Sequence, residues 1–108
     1  MNDLGSVETI MRALADPTRR AVFERLAGSG EVPVSELTRT SGVTQGAISQ
    51  HLKTLKLAGL VSDRAAGRNV FYRARPEGFR PLFDWINHYS VFWRERFSDL
   101  HKLLEDMD

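Results

Sequence analysis

Between Thr44 and Lys53 the sequence TQGAISQHLK supplies hydroxyls, amides, an imidazole and a cation, and no carboxylate. Amides can bond adenine in bidentate fashion, hydroxyls bond either donors or acceptors, and a cation meets phosphate, so this set suits contact with nucleic acid. At about 100° per residue Ile48, Leu52 and Leu55 fall on one apolar stripe. Gly46, Gln50 and Lys53 lie near the opposite direction, with Ser49 and Thr54 on the flanks. No Asp or Glu occurs between Arg39 and Leu60, so the exposed side of this helix repels no polyanion.

Other chemistries fit the residues poorly. Ser49 and His51 stand two apart on a helix and do not face each other, which argues against a Ser/His nucleophile pair. The acids are scattered, no glycine-rich phosphate loop follows a strand, and no HExxH spacing exists. The expectation is a binding protein rather than an enzyme. A protein-interaction module of the same shape is the alternative, but it should display apolar or acidic groups where this helix displays Gln45, Ser49, Gln50 and Lys53. Leu57 is the one apolar residue on that side, and a place beneath a following hairpin would cover it.

The elements that must position these residues can be read from their ends. Gly42 can take the left-handed conformation that stops a helix, Val43 can pack back on Leu37, and Thr44 can cap the next helix. Two helices within residues 34–58, joined by a turn of about three residues, must cross at a large angle, the geometry of a helix-turn-helix. Gly59 follows as a stop, with Leu60 placed to pack on Leu55. Residues 60–75 then change pattern: LVSD and VFYRA read as two strands around a turn with Gly67 and Asn69. Such a hairpin is the wing of a winged helix, with Arg64 and Arg68 near its tip and Arg73 towards its end.

Upstream, Val7, Ile10, Met11 and Leu14 give an amphipathic first helix. Asp16-Pro17 starts a second, with Asp as cap and Pro in the first turn, burying Val22, Phe23 and Leu26. GSGEVP reads as a loop. Downstream of Pro76 and Pro81, Leu82, Ile86, Tyr89, Trp93, Phe97, Leu100, Leu104 and Met107 recur every three or four residues, predicting one amphipathic helix of about 25 residues. Its aromatic stripe exceeds what a small core needs and points to a partner helix, the alternative being that it packs on the chain's own first helix.

The whole is expected to form one domain of 108 residues, mainly α with a small β-hairpin, in the order α-α-α-α-β-β-α. Eleven Lys/Arg against five acids between Met11 and Arg75 leave an excess of six positive charges, while the ends are acidic and bring the net charge to +1. A basic middle suggests a polyanion partner there, with the wing and second-helix arginines supplying the charge. Cysteine is absent, which excludes thiol chemistry within the chain and fits a reducing cytoplasm. No apolar run approaches a membrane span and no signal-peptide pattern opens the chain, so a cytoplasmic protein without membrane contact is expected.

The segments LADPTRRAVFERLA, VSELTRTSGVTQGAISQHLKTLKLAGLV and RAAGRNVFYR together resemble the ArsR/SmtB family of bacterial winged-helix repressors. The resemblance implies a homodimer that binds an inverted-repeat operator and leaves it on a signal. It assigns DNA contacts to Thr44, Gln45, Gly46, Ser49, Gln50, His51 and Lys53 in the helix and to Arg64, Arg68 and Asn69 in the wing. Gly46 and Ala47 replace hydroxyl residues often seen there, which reduces direct base readout at those two positions. The terminal segments, 1–15 and 79–108, occupy the family's dimerisation positions, through Val7, Ile10 and Leu14 and through Ile86, Tyr89, Trp93, Phe97 and Leu100.

The family's metal motifs are missing. Its thiolate site needs cysteines, and here the corresponding helix reads SELTRTSG. Its other common site pairs Asp and His two apart with His and Glu three apart. Here Asp84 and His88 are four apart, as are His101 and Glu105. No metal or other cofactor is assigned, and the inducer is left open.

Overall fold

The computed structural model describes residues 6–107; residues 1–5 and 108, parts of the two expected dimerisation segments, lie outside the described residues. Three helix starts follow their caps. Ser6 precedes α1 (Val7–Ala15), Asp16 precedes α2 (Pro17–Ser29) and Thr44 precedes α4 (Gln45–Leu57), each side chain accepting a first-turn backbone N–H. Between them lies α3 (Val34–Ser41), ended by Gly42 in the left-handed region at φ 77°. The end of α4 is a Schellman stop. Leu60 N–H donates to Leu55 O at 3.0 Å and Gly59 N–H to Lys56 O at 2.9 Å, with Gly59 at φ 80°.

The wing is β2 (Val61–Ala66) and β3 (Asn69–Ala74), antiparallel with Arg64 opposite Phe71 and Ala66 opposite Asn69. Gly67 and Arg68 form its two-residue turn. Gly67 alone has positive φ, the sign pattern of a type II′ turn that keeps the strands' twist. One expectation fails here. Val32–Pro33, read as loop, form a short strand β1 that pairs with β3, giving a three-stranded sheet in the order β1-β3-β2. Pro33 is tolerated because the strand is at the sheet's edge.

Ile10 and Ala13 of α1, Val22 and Leu26 of α2, Leu37 of α3, and Ile48, Leu52 and Leu55 of α4 close one core with Leu60 and Val61. The stripe read from α4 is thus the centre of the molecule.

The C-terminal helix differs from expectation. It is two helices, α5 (Arg80–His88) after a 3-10 turn at Pro76–Phe79, and α6 (Ser90–Asp106). Tyr89 separates them at φ −104° and ψ 30°, its N–H donating to Ile86 O at 3.1 Å. Neither helix has a buried residue. Where the 3-10 turn meets the end of α4, Arg75 N–H donates to Leu60 O and the Arg75 guanidinium to Gly59 O. A Cβ on Gly78 would lie 2.0 Å from Gly59 O, so only glycine allows this backbone-to-backbone approach.

Candidate nucleic-acid interface

The exposed face of α4 carries Gln45, Gly46, Ser49, Gln50 and Lys53. Among the described residues the side chains of Gln45, Ser49, Gln50 and Lys53 have no hydrogen-bond or ion-pair partner within the chain. Thr44 is committed to its cap, its Oγ1 accepting from Ala47 N–H at 3.1 Å, but its hydroxyl proton is left to donate outward. His51 is half-buried, and its Nδ1 is buried without a partner. It lies close enough to Asp16 to affect that carboxyl electrostatically, at the junction of α1 and α2. The Arg19 backbone N–H, chiefly, holds the Asp16 carboxyl below its ordinary value, with His51 adding to it. The expected DNA contact of His51 is therefore at the helix flank, turned partly inward.

In the wing, Arg68 and Asn69 form the exposed tip, and Arg64 does not join them. Its guanidinium donates to both Glu31 oxygens, at 3.0 and 2.8 Å, and lies 5.1 Å from the Phe71 ring centroid. The Arg64 hydrogen bond holds the Glu31 carboxyl below its ordinary range. Strand register places Arg64 mid-strand, beside Phe71 on the face away from Tyr72. Sequence reading missed Glu31, whose partner is 33 positions away; only the charge complement was visible.

The second-helix arginines also depart from expectation. Arg19 donates to Ala13 O and Arg12 O, and Arg20 to Leu14 O, so both satisfy carbonyls at the end of α1. Arg25 donates to Thr40 Oγ1 and lies 3.8 Å from Glu36. Lys56 pairs with Asp63 at 3.0 Å, a bond that raises the Lys56 pKa and ties α4 to β2. Around the reading face, Lys53 and Arg68 are the cations with no carboxylate partner among the described residues, while Arg73 lies close enough to Glu31 to help hold that carboxyl down.

Ser35, Gln45, Ser49, Arg68 and Asn69 surround a cleft of about 310 Å³ between α3, α4 and the wing, over Leu52, Val70 and Tyr72. Ser35 was not singled out in the sequence, because nothing in SELTRT marks one hydroxyl over another. Leu57 is not beneath the wing. It is 57% exposed and lies beside Thr9 and Ala13 of α1.

Of the expected dimer contacts, Ile10 is a correction: it is fully buried in the protomer's own core and offers no surface. Val7 and Leu14 are half-buried, and Leu14 packs on that core. Ile86, Tyr89, Phe97 and Leu100 are exposed, and Trp93 is half-buried, packed against Phe92 and Phe97 with its indole N–H unpartnered. Among the described residues no group of three or more His, Cys, Asp or Glu could hold a metal ion. Asp84 pairs with Arg80 and His101 with Glu105. Among the described residues no helix is long and apolar enough to cross a membrane.

A family model described as a helix-turn-helix domain matches residues 14–64. The HTH-type transcriptional regulator Rv2034 of Mycobacterium tuberculosis is 40% identical over 105 residues, covering 97% of this chain and 94% of that protein. The crystal structure of an ArsR-family transcriptional regulator superposes with a TM-score of 0.71 at 31% identity, over 82% of this chain and 90% of that one. A homodimeric winged helix-turn-helix DNA-binding domain from Mycobacterium bovis, a possible ArsR-family transcriptional regulator, matches at 29% identity and a TM-score of 0.63, over 79% and 78% of the two chains. With this architecture, and this identity over nearly all of one such regulator, the chain belongs to the ArsR/SmtB family of winged-helix transcriptional regulators.

Proposed function

We propose that the protein is a homodimeric repressor that binds an inverted-repeat operator in double-stranded DNA and works in the cytoplasm, as a binding protein and not an enzyme. The observation that carries this reading is the face of α4, where amides, a hydroxyl and a cation are left without partners while other polar side chains of the same domain are engaged. Gln50 and Ser49 read base edges, and Lys53 and Arg68 meet phosphate. The two copies associate through the exposed apolar stripe of α5 and α6, which spaces their recognition helices about one DNA turn apart.

The test is selection of binding sequences from random duplex DNA with the full chain. The expected product is a pseudo-palindrome with half-sites about 10 base pairs apart, centre to centre. Failure to enrich any sequence would overturn the reading. On the selected operator, Gln50→Ala should relax preference at one base position per half-site by about 1–3 kcal/mol, the worth of a bidentate contact.

A further inference from the structure

Polar side chains in this domain fall into two groups. Arg19, Arg20, Arg25, Arg64 and Lys56 are each bonded to a carbonyl, hydroxyl or carboxylate of the chain. In contrast, Ser35, Gln45, Ser49, Arg68 and Asn69 come from three separate elements, converge on one cleft, and have no side-chain partner among the described residues. Convergence of donors that bond nothing in the protein marks a place for an external acceptor.

The charge of the cleft specifies that acceptor. Its one ionised lining residue is Arg68, and no carboxylate lines it. Of the acids on the surrounding elements, Glu31 is paired with Arg64 and Glu36 with Arg39, while Asp63 is paired with Lys56 and lies near Tyr72 without lining the cleft. Tyr72 in its floor is a neutral phenol, its pKa raised first by burial and then by Asp63. The walls thus offer hydroxyl and amide donors with one cation, the set that holds a singly charged phosphodiester. The apolar floor of Leu52, Val70 and Tyr72 gives the adjoining deoxyribose an apolar surface to lie on.

We propose that this cleft seats one backbone phosphodiester of the operator, held by two of its lining residues, Ser35 of α3 and Arg68 of the wing tip. The inference rests on the operator-binding reading above and adds a contact, Ser35, on the first helix of the helix-turn-helix. The short turn fixes Arg68 beside the cleft, because Gly67 takes the positive φ and leaves Arg68 at an ordinary one. One phosphate held between α3 and the wing would set the depth of α4 in its groove, which is the usual work of backbone contacts.

The experiment is ethylation interference on the selected operator with the full-length protein, comparing wild type, Ser35→Ala and Arg68→Ala. Wild type should show interference at one phosphate per half-site that both variants weaken. Arg68→Ala should also lower the salt slope by about one, and Ser35→Ala, which removes a neutral donor, should leave it unchanged. Ser35→Glu, with its fold checked by circular dichroism, should weaken every sequence at least about tenfold through repulsion in the cleft. If the two alanine variants erase interference at different phosphates, or at none, or if folded Ser35→Glu binds like wild type, the shared seat is wrong. Loss of binding by the wild type itself would instead remove the operator-binding reading, and this proposal with it.

Discussion

The segment from α2 to β3 and the pair α5–α6 have the same kind of sequence, apolar residues at helical or strand spacing, and opposite outcomes. In the first, Ile48, Leu52 and Leu55 meet Val22, Leu26, Leu37 and Leu60 from the same chain and are excluded from water. In the second, Ile86, Phe97, Leu100 and Leu104 are each 44% exposed or more, and no residue is buried. The radius of gyration, 17.5 Å, exceeds the roughly 13 Å of a compact chain this size because α6 stands away from the core, whereas α5 packs on α1 and sets Leu82 against the core. Amphipathicity specifies that a face will be covered, and the chain's own topology decides by what. A 17-residue helix with its apolar face in water is marginal, so the arm calls for a second copy where the core does not.

The sharpest test of that contrast is a core deletion beside an arm mutation. Ile48→Ala should cost about 2–5 kcal/mol in urea unfolding, since it empties a fully buried site. A loss below about 1 kcal/mol would mean that the core can collapse around the site. Trp93→Asp should leave the winged-helix unit folded by circular dichroism and yet sediment as a monomer with much weaker operator binding. A dimer that survives this charge would move the interface off the arm. The smallest effect concerns the Glu31–Arg64 pair, which is exposed and screened. Because Arg64 holds the Glu31 carboxyl below its ordinary value, the pair stabilises above that value and its contribution disappears as pH falls through the lowered one. Glu31→Gln should therefore be slightly less stable than wild type at neutral pH and converge with it in acid; a gap that widens on acidification would contradict the sign.

What was legible in the sequence was local. Thr44, Gly42, Asp16 and Gly59 act within a few residues of themselves, so their caps and stops could be read directly. Contacts that depend on distant chain were not. Val32–Pro33 is a strand only because β3, some 40 residues on, supplies its partner. The Glu31–Arg64 pair and the Arg19 and Arg20 bonds to α1 carbonyls changed the accounting of charge, since composition counts cations and is silent on their engagement. Tyr89 hid for a different reason. No Pro or Gly marks the break, and the apolar spacing runs through it undisturbed. Ile10 followed the amphipathic pattern correctly, but the face it belongs to turns inward.

The approach of Gly78 to Gly59 joins the reading unit to the arm, backbone against backbone. The Arg75 guanidinium braces this approach at Gly59 O, but position 78 itself cannot be adjusted by degrees: it accepts glycine or forces the two parts to separate. The faces on either side can then change, one towards a new operator and the other towards a new partner surface, without disturbing this approach. In that sense the least chemical contact in the molecule is the one that lets its two chemistries evolve apart.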